Sequence, residues 1–244
     1  MAHSAIFIGT SGWSYDHWQG IFYPPALSHS GWLQYYAKHF SSVEINNSFY
    51  QLPDKKILLQ WHDAVPADFI FTVKASRYIT HMKKLDDPEH SVSVFLERIC
   101  VLKEKLGPVL FQLPPHWHFN PERLAAFLDK LSSDFRYVFE FRDHSWHNAQ
   151  TYQLLAKHNA AFCIFDLDSF LSPREITADL VYVRLHGPNG PYRGSYCKNI
   201  LSDWANAFAS WSTQGHTIYC YFDNDQNGYA AQNARTLQAM LQND

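Results

Sequence analysis

The chain has 244 residues, 46% hydrophobic and 18% charged, with a formal net charge of -3. That balance excludes a disordered chain, and the lack of an overall basic excess counts against a protein held on nucleic acid mainly by counterion release. No apolar run approaches the roughly 20 residues of a membrane helix, the N-terminus has no basic region followed by a long apolar stretch, and the four cysteines show no C-x-x-C spacing, so a cytoplasmic protein with reduced thiols and no membrane partner is expected.

In chain order, short apolar runs alternate with segments of helical period. Strands are expected at Ala5 to Gly9, Ser42 to Asn46, Ile70 to Ala75, Val109 to Leu113, Tyr137 to Arg142, Ala161 to Phe165, Val181 to His186 and Ile218 to Phe222. Helices are expected at Gly31 to Lys38, Lys55 to Ala64, Ser91 to Lys105, Pro121 to Leu131, Ala149 to Lys157, Leu201 to Gln214 and Ala230 to Gln242. Asn120-Pro121 supplies a cap and a proline for a first helical turn, and Leu106-Gly107-Pro108 ends a helix. Eight strands alternating with helices over this length predict an α/β fold, a (β/α)8 TIM barrel forming one domain over residues 1–244. The alternative is an open doubly wound sheet, weakened because no G-x-G-x-x-G follows the first strand. There is no internal repeat, low-complexity tract or linker.

The strand ends are polar in nearly every case. In such a barrel the carboxyl ends of the strands and the loops after them build the site. They carry Glu44 and Asn46, Lys74, Gln112, Glu140 and Arg142, Asp166, Arg184 and His186, and Asp223 and Asn224. In E-x-N, E-x-R and R-x-H the polar residues are two apart, so both members of each pair face the barrel mouth. Within "VFEFRDHSW" this places Glu140 and Arg142 inside and Phe139 and Phe141 against the helices. The competing reading is a self-satisfied ionic network without chemistry, but burying so many ionisable groups is costly without a ligand to receive.

Loops add aromatics on the same face. "GTSGWSYDHWQGIFYP" carries Trp13, Tyr15, Trp18 and Tyr23, and further along come Phe49, Tyr50, Trp146, Tyr192, Tyr196 and Tyr229. Trp13 and Trp18 suit a pocket wall or a plug of the barrel end equally. Of the 14 histidines, His17, His81, His116, His118, His144, His147 and His186 fall near the top loops. A divalent metal is compatible with that number, but no H-E-x-x-H or similar spacing supports it, so neither a metal nor another cofactor is assigned.

Successive segments resemble a known family. "GTSGWSYDHWQGIFYP", "VEINNSFYQLP", "FTVKASRYITHMKKL", "LGPVLFQLPP", "FEFRDHSW", "YVRLHGP" and "NDQNGYAAQNARTL" look like the signatures of the YecE-like family, domain of unknown function seventy-two. The resemblance runs in order over nearly the whole chain. It implies a bacterial, cytosolic TIM barrel without an established reaction, and a distant likeness to sugar-isomerase and endonuclease barrels. The matching positions are Trp13, Tyr15, Trp18, Glu44, Asn46, Phe49, Tyr50, Lys74, Thr80, His81, Gln112, Glu140, Arg142, Trp146, Arg184, His186 and Gly187. Asp223 departs from the family pattern, where Asn is common, and is not taken as an essential acid. Lys74, Arg142 and Arg184 stand where endonuclease barrels place zinc ligands, which favours an anionic substrate over a metal cluster.

The expected function is therefore an enzyme of hydrolase, lyase or isomerase type acting on a small anionic, phosphorylated compound. Arg142, Arg184 and Lys74 hold the anion in this reading, assisted by Asn46, Gln112, Trp13, Tyr15, Trp18, Tyr50, His81, Trp146 and Asp223. Glu140 and Glu44 are the acid/base pair, and His186 is the proton shuttle. The alternative is a nucleic-acid-binding or phosphodiester-processing protein whose aromatic loops stack on bases. A carbohydrate-active barrel ranks third and needs the Glu44 and Glu140 carboxyls to flank a sugar.

Overall fold

The structure, a computed structural model, describes residues 4–242; residues 1–3, part of the N-terminus read above, and residues 243–244 lie outside it. Among the described residues nine strands and seven α-helices follow one another: β1 (Ile6–Thr10), α1 (Trp32–Tyr36), β2 (Ser42–Ile45), α2 (Lys55–Ala64), β3 (Ile70–Lys74), α3 (Pro88–Ile99), β4 (Leu106–Leu113), α4 (Pro121–Leu128), β5 (Tyr137–Phe141), α5 (Ala149–Lys157), β6 (Ala161–Leu167), β7 (Phe170–Leu171), β8 (Leu180–Leu185), α6 (Lys198–Thr213), β9 (Thr217–Phe222) and α7 (Tyr229–Gln242). All strands but β7 pair in parallel, in the order β1-β9-β8-β6-β5-β4-β3-β2. This is the expected (β/α)8 barrel.

Alternation along the strands sorts the side chains into two cores. Val43, Phe71, Phe111, Phe139, Phe141, Val183 and Phe222 point outward into the helix layer. Leu110, Val138, Cys163, Tyr182, Tyr219 and Tyr221 fill the barrel. Above this plug the inward positions turn polar or charged, because the same period-two rows continue into Gln112, Glu140 and Arg184.

The seam between β1 and β2 closes without a regular ladder. A single parallel bridge joins Ser11 to Glu44, with Gly12 N–H donating to the Glu44 carbonyl at 2.8 Å. Below it the Tyr36 hydroxyl accepts from Thr10 N–H at 2.9 Å and donates to the Ser42 carbonyl at 3.1 Å, replacing the missing backbone bonds. Gly9 permits the approach, since a Cβ there would stand 2.1 Å from the Ser42 carbonyl oxygen.

Several elements differ from expectation. The helix placed at Ser91 to Lys105 begins at Pro88 and ends at Ile99, with a 3-10 segment over Cys100–Lys105. Lys105 is buried there and donates to the carbonyls of His62 and Val65 at 2.6 and 2.8 Å, capping α2. Gly107 and Pro108 lie inside β4, not after a helix. Between β6 and β8, where no helix was expected and none forms, an unexpected strand appears: β6 turns back through Asp168 and Ser169, both at positive φ, into antiparallel β7. The Ser172 and Thr177 hydroxyls of the following segment then accept from Phe165 and Phe162 N–H.

Replacing Tyr36 by Phe strips both seam partners at once, and equilibrium urea unfolding should register a loss of about 1–3 kcal/mol, the cost of unsatisfied buried groups. An unchanged midpoint would mean the seam does not depend on that hydroxyl.

Candidate functional site

The rows that end β2, β5, β8 and β9 converge on one guanidinium. Arg184 is fully buried. Its Nε donates to both Glu44 oxygens at 3.0 and 3.1 Å, and its Nη2 reaches Glu44 Oε1 at 2.7 Å and Asp223 Oδ2 at 3.1 Å. Nη1 donates to Glu140 Oε2 at 2.8 Å. Glu44 also accepts from Tyr182 at 2.6 Å and Ser11 at 2.7 Å, and Tyr182 meets the Thr72 hydroxyl at 3.0 Å, so the charged layer rests on a hydroxyl layer. The other oxygen of Glu140 accepts from Arg142 Nε.

His186, also fully buried, completes the ring. Its Nε2 faces Arg184 Nη1 at 3.3 Å and Arg142 Nη2 at 3.2 Å, and its Nδ1 lies 3.0 Å from Asp223 Oδ2. Guanidinium groups only donate, so Nε2 accepts and Nδ1 carries the single proton toward Asp223. Burial, then Arg184 and Arg142, lowers the imidazole from 6.5 to about 4, against the opposing pull of Asp223. Burial would raise the Glu140 carboxyl, but Arg142, then Arg184, overrides it and holds the group below the usual carboxylate range. Asp223 is likewise lowered, burial being outweighed by its contacts with His186 and Arg184.

These contacts revise several expected roles. Every N–H direction of Arg184 is spent inside the protein, so it organises the site and has no donor left for a substrate. His186 is lowered well below its usual value, and its Nε2 faces the two guanidinium groups of Arg184 and Arg142. Glu44 and Glu140 are both fully buried and joined through one guanidinium, so they do not flank an open position for a sugar. Trp18 and Trp146 are fully buried. Trp18 donates to the Asp225 carbonyl at 2.9 Å, and Trp146 stacks on Phe141 at 4.9 Å and donates to the Trp117 carbonyl, so neither wall is available for stacking. Gln112 turns its amide onto the Leu113 carbonyl at 2.8 Å.

What remains accessible is Arg142, at 11% side-chain exposure, the rim of Asp223, and Lys74. Lys74 ends β3, and its ammonium lies 4.3 Å from the centre of the Phe49 ring, with no hydrogen-bond or ion-pair partner among the described residues. Burial, then Arg184, lowers it from 10.5 to about 8, against Glu140, Glu44 and Asp223. His81, on a π-helical turn over Tyr78–Met82, packs edge-on to Phe49 and is brought down from 6.5 to about 4 by burial and then Lys74. Tyr192, held at positive φ, meets His186 edge-on at 5.6 Å and borders the mouth from the loop after β8. Beside the mouth lies a cavity of about 720 Å³, to which Trp13, Tyr15, Asn46 and Tyr50 contribute with Trp61 of α2.

Sequence reasoning missed Ser11, Thr72, Tyr182, Tyr221 and Trp61. Tyr182 and Tyr221 each stand two residues before a named one, so the same alternation carried one step down the strand would have found them. Trp61 carries no such signal, being one aromatic on an amphipathic helix. No group of three His, Cys, Asp or Glu side chains suited to a metal occurs among the described residues, nor does any helix there have the length and apolarity to cross a membrane.

The fold and this site define a TIM barrel with an ionic cluster at the carboxyl ends of its strands, and relatives of that class exist. The family model for "Protein of unknown function DUF72" matches residues 7–244, and the chain belongs to that family. UPF0759 protein YunF of Bacillus subtilis is 26% identical over 97% of this chain and 94% of its own length. UPF0759 protein YecE of Escherichia coli is 34% identical over 56% of this chain, and the chain spans about half of that relative, 48%. Among solved structures, a DUF72 family protein from Thermotoga maritima superposes with a TM-score of 0.88 at 30% identity, covering 98% of this chain and 99% of the other. A DUF72 family protein from Enterococcus faecalis gives 0.81 at 24% identity over 99% of each chain, a likeness of fold.

Exchanging Arg184 for Met leaves buried Glu44 without its cation and takes one partner from Glu140 and Asp223, and urea unfolding at neutral pH should lose about 3–5 kcal/mol. Adding Glu44→Gln should return part of it, and a single variant as stable as the parent would show that the cluster is not held by this guanidinium. Acid should act in the same direction. Between pH 6.5 and about 4 the unfolded chain binds a proton that folded His186 refuses, so stability rises with pH across that window. The depressed Glu140 and Asp223 likewise contribute above their unfolded values and lose that contribution as pH falls through the folded ones. The thermal midpoint should fall on acidification through this range, with a shallower slope in His186→Gln; an identical slope would refute the assignment.

Proposed function

We propose that the chain is an enzyme that binds a small phosphorylated compound at the mouth of the barrel and moves a proton on it. The observation that carries the reading is that two strand-end cations are not fully spent on the protein: Lys74, partly buried and with no hydrogen-bond or ion-pair partner among the described residues, and Arg142, which keeps 11% side-chain exposure. An unpaired buried cation costs stability and is retained where an anion compensates it. Arg142 is fixed by Glu140 and His186, so its remaining fork is oriented before a ligand arrives.

The division of labour follows from the protonation states. Glu44 and Glu140 keep Arg184 and Arg142 in place. The proton-transfer role falls to Lys74, because a group lowered to about 8 holds both forms in useful amounts near neutral pH. Hydrolysis, elimination and isomerisation of a phosphorylated substrate all use a base of that strength beside an anion clamp. Trp18 and Trp146, being fully buried, present no free face for base stacking.

Inorganic phosphate and small phosphorylated sugars and nucleotides should raise the thermal midpoint, and Arg142→Ala should abolish the effect. Lys74→Met should weaken the same ligands yet stabilise the free protein by about 1–3 kcal/mol, since it removes a penalised charge. A destabilised Lys74→Met, or phosphate binding untouched by Arg142→Ala, would end this reading.

A further inference from the structure

The cavity of about 720 Å³ beside the mouth plays no part in the ionic cluster. Its lining contains no carboxylate, ammonium or guanidinium, in contrast to the mouth a few residues away. Its walls include Trp13, Tyr50 and Trp61, with Trp13 edge-on to Trp61 at 4.8 Å and Tyr50 three-quarters exposed. Its polar groups include three amides, Asn46, Asn47 and Gln60, whose side chains make no hydrogen bond among the described residues. The Asn46 oxygen is buried from solvent and without a partner. Asn46 also ends the β2 row two residues after Glu44, and Tyr15, another lining residue, feels the charges of Asp223 and Glu44. Cavity and mouth are therefore neighbours.

Each feature limits the ligand. Flat aromatic walls favour a planar ring. Amides, each a donor beside an acceptor, match the edges of nucleobases. A buried acceptor left empty costs free energy that a donor on a ligand would recover. The volume lies within the usual range of about 300–1,000 Å³ for small-molecule sites. We infer that this cavity is the subsite for a nucleobase bearing an exocyclic amine, attached to the phosphate that Arg142 and Lys74 receive. The inference rests on the phosphorylated-ligand reading above and narrows it to a nucleotide, supplied either free or as the 5′-phosphorylated end of a strand.

Isothermal titration calorimetry on the full chain separates the two layers of the argument. Adenosine tests the cavity alone, inorganic phosphate the mouth alone, and adenosine 5′-phosphate both together. Adenosine should bind, purine riboside, which lacks the amine, about tenfold more weakly, and adenosine 5′-phosphate more tightly than either. Asn46→Leu should cost adenosine about tenfold and leave inorganic phosphate unaffected. Gln60→Ala, on the exposed face of α2, should weaken adenosine in the same direction without threatening the fold. Adenosine no better than purine riboside, or methyl glucoside bound more tightly than adenosine, overturns the nucleobase subsite. Phosphate binding without adenosine binding also overturns it while leaving the mouth intact; adenosine binding without any phosphate increment keeps the subsite and refutes the anion clamp. A short 5′-phosphorylated oligoadenylate that outcompetes adenosine 5′-phosphate identifies the strand end as the source, and the reverse order identifies the free nucleotide.

Discussion

A single buried guanidinium holds this site together. Arg184 donates to Glu44, Glu140 and Asp223 and faces His186, so four strands of the barrel share one cation. Removing a charge from water is expensive, and the cost is offset only if its hydrogen bonds are complete. They are complete here, and the geometry of Glu44, Glu140, Asp223 and His186 is tied to this guanidinium. Glu140 can hold Arg142 because its second oxygen is already committed. His186 can remain neutral while fully buried because two guanidinium groups face one nitrogen and a carboxylate the other.

The same saturation divides residues that look alike in the sequence. Arg184 and Arg142 are both strand-end arginines, yet one is spent on the protein and the other retains an open edge. Lys74 differs from both, with an aromatic ring as its neighbour and a lowered proton affinity. The charged centre also ends abruptly. Beyond Asn46 the lining turns aromatic and amide-bearing, without a carboxylate, ammonium or guanidinium, so polarity changes character over the length of one strand end and its loop.

The barrel was legible because alternation is a local property. Phe139 and Phe141 against Glu140, or Val183 and Leu185 against Arg184, declare their faces without knowledge of any other strand. The pairing of the inward charges was not legible, because it depends on which strands stand opposite across the barrel: nothing in E-x-R says that Glu140 serves two arginines. The tryptophans misled for a related reason. Trp18 and Trp146 lie in loops, where an aromatic reads as exposed, but both indole N–H groups find backbone carbonyls in neighbouring loops and the rings become core. Between β6 and β8 the sequence shows no helical period and the structure no helix, but the hairpin there is too short for alternation to reveal. Asp223, set aside on family grounds, sits at hydrogen-bonding distance from both Arg184 and His186.

The seam between β1 and β2 gives the barrel a mechanical asymmetry. Elsewhere neighbouring strands are joined by repeated backbone hydrogen bonds, whereas here one bridge and the Tyr36 hydroxyl carry the closure. The residues that follow these two strands, Gly12 and Trp13 on one side and Asn46 and Asn47 on the other, line the neutral cavity. The cylinder is therefore least strongly tied by its backbone where this recess opens, and on the β2 side the buried ion pair of Glu44 with Arg184 supplements that thin closure, so the charged centre also fastens one wall of the neutral cavity.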